Sequence, residues 1–215
     1  VPAGEHSIGV RFSNDTNVNA SISNIRVGDV FGWIGQSNQQ GRFTNGQTYS
    51  GSDASIYDSS GSWADLSSSY QSPGSTGFSV LPLLASLIEA ETGFPVGFVS
   101  ETEGATGLVE SPRDEWKKGN TNYNNFTTTV SNSNVDDLKA FLWYQGEREV
   151  NYNVDGSLYH PAERQFLDDL QTDTGFSDTP LISANIALYT AEIDPSINTI
   201  RDAKIYNWEN DADIL

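Results

Sequence analysis

The sequence predicts one α/β domain with a parallel sheet, and three observations carry that expectation. Short apolar runs at 28–36, 96–100, 139–145 and 181–188 read as buried strands. Segments of helical period lie between or after them. Polar, glycine-containing stretches follow three of the runs, at the strand ends where ligands gather in such sheets.

Residues 7–12 and 18–27 alternate apolar and polar around Asn14-Asp15, which predicts a hairpin and sets off 1–27 as an N-terminal extension to a domain spanning 1–215. Residues 41–76 are rich in Gly, Ser, Asn, Asp and Tyr and predict a long loop without helix or long strand. Phe78, Leu81, Leu84, Ala85 and Ile88 fall at helical spacing, and Gly93 with Pro95 ends that helix. Residues 101–116 and 117–134 read as loops. Helices are predicted at 160–172, with Phe166, Leu167 and Leu170 inward, and at 194–210, with Ile197, Ile200, Ala203 and Ile205 as apolar contacts.

Composition excludes several functions. Acidic residues outnumber basic ones 29 to 11, a formal charge of −18, which is unsuited to a phosphate backbone or an anionic lipid surface. No apolar run reaches the roughly 18–20 residues of a membrane span. Cysteine is absent, so disulfides, thiolate metal sites and cysteine nucleophiles are excluded. Methionine is absent too, position 1 included, which predicts a processed or excised chain. Short acids and small polar residues suit an extracellular or surface-exposed protein, or one living in high salt.

The three strand-end segments are Gly35-Gln-Ser-Asn38, Glu103-Gly-Ala-Thr106 and Gln145-Gly-Glu147. A serine at a strand end can attack an ester carbonyl if a base takes its proton. The resulting oxyanion needs preorganised donors, for which the Ser37 N–H, the Gly104 N–H and the Gln145 amide are candidates. Taken singly, each segment is equally a polar turn, and Ser37 a helix-capping serine.

In this order the segments resemble the SGNH (GDSL-like) hydrolases, in the branch of sialate O-acetylesterases and acetylxylan esterases. Gly28-Asp-Val-Phe-Gly-Trp-Ile-Gly-Gln-Ser-Asn38 is similar to that branch's nucleophile block. Phe141-Leu-Trp-Tyr-Gln-Gly-Glu147 is similar to its Trp-Tyr-Gln-Gly-Glu block. Val96-Gly-Phe-Val-Ser100, Glu103-Gly-Ala-Thr106 and Trp116 resemble its strand-plus-Gly-Gly-Thr segment, with Ala105 replacing one glycine. The resemblance implies a flavodoxin-like three-layer α/β/α sandwich and a serine esterase that removes acetyl groups from carbohydrate, without a cofactor. It implies Ser37 as nucleophile and Ser37, Gly104 and Gln145 as oxyanion hole. Asn38 and Glu147 support the loop.

The family's base lies in a late Asp-x-x-His segment, and neither His6 nor His160 sits in one. Three readings stay open. The His-Asp pair lies on further chain segments, with a last strand beyond Leu215 that brings a histidine to Ser37. Alternatively, the domain is a catalytically incomplete glycan- or receptor-binding module of a secreted, particle-surface or virion assembly. Otherwise another base serves, and His160 is the internal alternative, against its plain reading as a solvent-facing histidine at a helix start. Asn151-Tyr-Asn-Val-Asp155-Gly156 imitates half a calcium loop, but Ala162 stands where the closing acid belongs, so a polar turn is read and no metal is expected. Trp33, Trp143 and Tyr144 read as core. Tyr49, Tyr57, Trp63 and Tyr70 either tuck into the long loop or stack on sugar faces.

Overall fold

The structure, a computed structural model, describes residues 1–46, 49–51, 53–109, 112–187 and 195–215. Strands β1 (Gly4–Arg11) and β2 (Asn19–Val27) pair antiparallel as a separate ribbon. The chain then enters the central sheet at β3 (Asp29–Gly35), whose residues alternate between two apolar layers. Phe31 and Trp33 face one core, and Ile34 faces the other.

A single turn, α1 (Ser37–Gln40), follows β3. The 41–76 segment adds two three-residue strands, β4 (Ser55–Tyr57) and β5 (Trp63–Asp65), and no longer element among its described residues. Helix α2 (Leu81–Thr92) tolerates Pro82 in its first turn. It stops at Gly93, whose left-handed conformation (φ 72°) lets its N–H cap the Glu89 carbonyl. Strand β6 (Val96–Thr102) is paired with β3 along its full length.

The segment read as irregular at 117–134 contains a helix, α3 (Thr121–Ser133). Its Asn, Thr and Ser residues are weak helix formers that favour turns and caps. Tertiary burial overrides them: Tyr123, Phe126, Val130 and Ser133 form one stripe against the sheet. Asn134, left-handed at φ 56°, ends the helix.

Strand β7 (Phe141–Tyr144) leads through α4 (Glu147–Asn151) to α5 (Gly156–Thr174), capped by Asp155 Oδ1 accepting from Ser157 N at 2.8 Å. Strand β8 (Leu181–Ala184) and helix α6 (Pro195–Asn210) complete the order. The outer ends of the last expected strand and helix, 188 and 194, lie outside the described residues. Ile197 and Ile200 of α6 are buried against the core, and only Ile205 of the expected apolar contacts faces outward. Asp213–Leu215 run parallel along the outer edge of β8: Leu181 N donates to Asp213 O and Leu215 N to Leu181 O, both at 2.8 Å.

Sheet order is β5-β4-β6-β3-β7-β8, parallel except for β5. The four strands read from sequence are therefore parallel neighbours, with β6 and β7 on opposite sides of β3. Helices α3, α5 and α6 pack on one face, and α2 with the long segment packs on the other. Connections leaving β6 and β7 diverge, which opens a crevice at the carboxyl end of β3. Among the described residues no helix is long and apolar enough to cross a membrane.

Candidate active site

Gly35 ends β3 at φ 151°, packed so closely on the Tyr144 carbonyl and the Gln39 side chain that no side chain fits. The kink turns the chain into α1 and sets Ser37, half-buried, in a cleft of about 1130 Å³. Trp33 Nε1 donates to Gln39 O at 3.1 Å, and Gln39 Nε2 donates to Leu142 O at 2.7 Å, which fixes the turn to the strands beneath.

Gly104 faces Ser37 across the cleft. A methyl group on Gly104 would stand 3.4 Å from Ser37 Cβ, ordinary contact, so the two residues pack against each other at the mouth of the cleft. The Gly104 N–H donates to Gln40 Oε1 at 3.1 Å, and Gln40 is held in turn by Pro73 O at 2.9 Å. Glu103 pairs with Arg113, which also donates to Gly104 O at 3.2 Å. Thr106 Oγ1 donates to Glu103 O at 2.7 Å and accepts from the buried Trp116 indole at 3.0 Å. The loop is thus tied to the core on both sides of Gly104.

Ala105 stands at φ 62°, a conformation that costs a non-glycine residue about 1–2 kcal/mol. Ala105→Gly relieves that strain, offset in part by the entropy glycine adds to the unfolded chain, so it is expected to raise stability by about 0.5–1 kcal/mol net. A denaturant midpoint measured without change of m-value checks it.

Glu147 opens α4 and reaches back to α1, accepting from Gln36 Nε2 and from Asn38 Nδ2, the latter at 2.7 Å. Its carboxylate clips together the residues on either side of Ser37. Sequence reading placed Asn38 and Glu147 as supports, and the structure brings both to Ser37's turn.

Gln145 goes elsewhere. It is fully buried, its amide donating to Thr106 O at 3.2 Å and to Glu149, while Oε1 accepts from Tyr159 OH at 3.0 Å. It therefore does not line the cleft. The buried Glu149 carboxyl competes for that amide. Burial raises its pKa, opposed by hydrogen bonds from the Leu108 N–H, Gln145 and the Val109 N–H. Tyr159 links this group to a second buried carboxylate, Glu163, which is held by Lys204 Nζ at 2.9 Å, Asn207 Nδ2 at 2.9 Å and Ser183 Oγ at 2.7 Å. Sequence reading missed this network. Its traces were two i, i+4 spacings, Gln145–Glu149 from the strand end into α4 and Tyr159–Glu163 on the apolar face of α5.

Arg42, Asp58, Glu101 and Arg148 complete the charged lining of the cleft. Burial pushes the Glu101 carboxyl above its usual range, against a hydrogen bond from Asn125. Neither histidine lines the cleft. His6 lies in the N-terminal ribbon, its Nε2 2.8 Å from Pro2 O. His160 sits in the second turn of α5 against Tyr206 of α6, ring centroids 4.8 Å apart. Among the described residues no group of acids and histidines could hold a metal ion.

Solved structures similar to this chain share its fold. A protein from Arabidopsis thaliana aligns with a TM-score of 0.68 at 19% identity, covering 87% of this chain and 83% of that one. A carbohydrate acetylesterase from Xanthomonas citri aligns at 0.64 and 16% identity, covering 90% of this chain and 50% of that one. NanS aligns at 0.59 and 13% identity, covering 87% and 76%. Comparison with curated protein sequences gives no significant match. The family model described as carbohydrate esterase, sialic acid-specific acetylesterase matches residues 27–212, and the chain belongs to that family.

Proposed function

We propose that this domain removes O-acetyl groups from carbohydrate, with Ser37 as nucleophile. The observation that carries the reading is the position of Ser37: at the switch point of the sheet, facing Gly104 across an open cleft, with Glu147 fixing both neighbouring amides. In this reading Ser37 Oγ attacks the acetyl carbonyl carbon while a base takes its proton. The sugar oxygen leaves with a proton returned by that base, and water then hydrolyses the acetyl-serine. The Ser37 N–H and the Gly104 N–H are the oxyanion donors. Gln40 Oε1 holds the Gly104 N–H until a carbonyl displaces it. Gln145 acts from below, through Thr106 and Glu149, rather than on the substrate.

Because both histidines lie away from the cleft, the reading assigns the proton acceptor to a group other than His6 and His160. An acidic surface of small polar side chains fits work outside the cell, on extracellular acetylated glycans.

The absence of a histidine from the cleft lining also favours a second reading, a domain that binds acetylated glycan without cleaving it. Acetate release from acetylated oligosaccharide, with imidazole added as a free base, separates the two. The esterase reading expects imidazole-dependent release above that of imidazole alone, and the binding reading expects calorimetric affinity with release no faster than imidazole alone gives.

A further inference from the structure

A second cavity, of about 470 Å³, opens at the amino-terminal end of the central strands, beside Asp29, Ser55 and Val96. Seven residues of β3 separate it from Ser37, about 20 Å at the rise of a strand. Its volume falls within the roughly 300–1,000 Å³ of small-molecule sites.

Trp63 forms one wall. Its indole N–H donates to Ser133 O at 3.1 Å, and Tyr57 packs edge-on with ring centroids 5.6 Å apart. Gly97 lets the ring lie against β6: a methyl group there would stand 3.3 Å from Trp63 Cη2. The indole is thus fixed on its protein side, yet Trp63 is 39% exposed, unlike the buried Trp33, Trp116 and Trp143.

The rest of the rim is polar. Arg26 Nη1 donates to Ser55 Oγ at 2.5 Å and to Asp65 Oδ1 at 2.7 Å, while Arg26 Nε is buried without a partner. Asp29, Asn24 and Asn134 add further acceptors and donors. Charge selects against an anion, because Arg26, the one cation among the described residues of the lining, is already paired with Asp65, and Asp29 adds a negative charge.

We propose that this cavity is a second carbohydrate site, which takes a neutral sugar ring on the open side of Trp63. The C–H face of a sugar matches an apolar indole surface, and its hydroxyl rim matches the Asp29 and Asn24 side chains in the lining. That the ligand is a saccharide rests on the acetylesterase reading. A polymer held here would keep a neighbouring stretch near the Ser37 cleft and raise its local concentration.

The test is heteronuclear NMR on the isotope-labelled protein, titrated with unacetylated xylohexaose, cellohexaose and mannohexaose, with sialyllactose as the anionic control. The indole resonance missing from Trp63→Phe identifies Trp63. It is expected to shift saturably with a neutral hexasaccharide. Trp63→Ala should weaken that binding about tenfold or more, Trp63→Phe should retain part of it, and Ser37→Ala should leave it unchanged. If Trp63→Ala does not fold, the same weakening in Asp29→Asn, with Ser37→Ala unaffected, carries the result. No shift of Trp63 with any neutral hexasaccharide would overturn the site, as would tighter binding of sialyllactose or shifts that survive Trp63→Ala. Shifts confined to the Ser37 cleft would remove this site and leave the esterase reading standing, since acetate release measures that reading independently.

Discussion

Ser37→Ala is expected to abolish imidazole-dependent release of acetate from acetylated oligosaccharide. Free imidazole replaces the tethered base with a diffusing one, so the wild-type rate should rise in proportion to its concentration. It should remain far below that of a complete site, because a positioned group enjoys an effective molarity on the order of 10⁵ M or more. Only neutral imidazole accepts the proton, so the slope should grow as pH rises through about 6.5–7. In Ser37→Ala no oxygen is left to acylate, and the imidazole-dependent slope should fall by about 10³-fold or more, to that of imidazole acting on the ester in bulk solution. Acetyl-serine trapped on the peptide containing Ser37, found by mass spectrometry in wild type alone, would fix the assignment. Equal slopes in the two proteins would place the nucleophile elsewhere.

The fold was legible where burial and local pattern agreed. The strand at 28–36 is apolar on both faces because the sheet is covered on both, and it announced itself as a continuous run. Helix α3 was illegible by composition, since Thr127, Thr128 and Thr129 prefer other conformations, and only the spacing of Tyr123, Phe126 and Val130 carried the signal. The site divides in the same way. Ser37, Asn38 and Gly104 follow strand ends directly, and topology brings them together. Gln145 also follows a strand end, but topology fixes only where its backbone stands. The side chain turns inward because Glu149, one helical turn later, is buried and needs donors. Such competition depends on side chains from Tyr159 to Lys204, which no short motif contains.

The Glu163–Lys204 pair gives the largest expected effect on stability. Lys204→Met removes the cation and leaves a carboxylate that is fully buried between α5, α6 and β8. Loss of one partner of such a pair costs about 3–5 kcal/mol, because the remaining charge is neither solvated nor paired. In the wild type burial opposes ionisation of Glu163, but the charge of Lys204 and the hydrogen bonds from Asn207, Lys204 and Ser183 outweigh it and hold its pKa below the ordinary carboxylate value. The pair therefore stabilises the fold above the unfolded carboxyl's pKa of about 4.3, and that contribution is lost as pH falls through the lower folded value. In Lys204→Met the sign reverses. The uncompensated carboxyl takes up a proton more readily when folded than when unfolded, so stability should recover as pH falls from neutrality towards about 4–5. Urea titrations across that range should show the gap between variant and wild type narrowing. Glu163→Gln combined with Lys204→Met should recover most of the loss at pH 7, since a neutral amide can still bond Asn207 and Ser183. A pH-independent deficit, or no recovery in the double variant, would mean that Lys204 stabilises the helices by packing alone. The Tyr159 hydroxyl lies between Gln145 Oε1 at 3.0 Å and Glu163 Oε1 at 3.4 Å, with one proton to share between them, so the same variant should also loosen the Thr106 loop beneath the cleft. Faster amide exchange at Leu108 and Val109 would report that transmission from the last helix to the site.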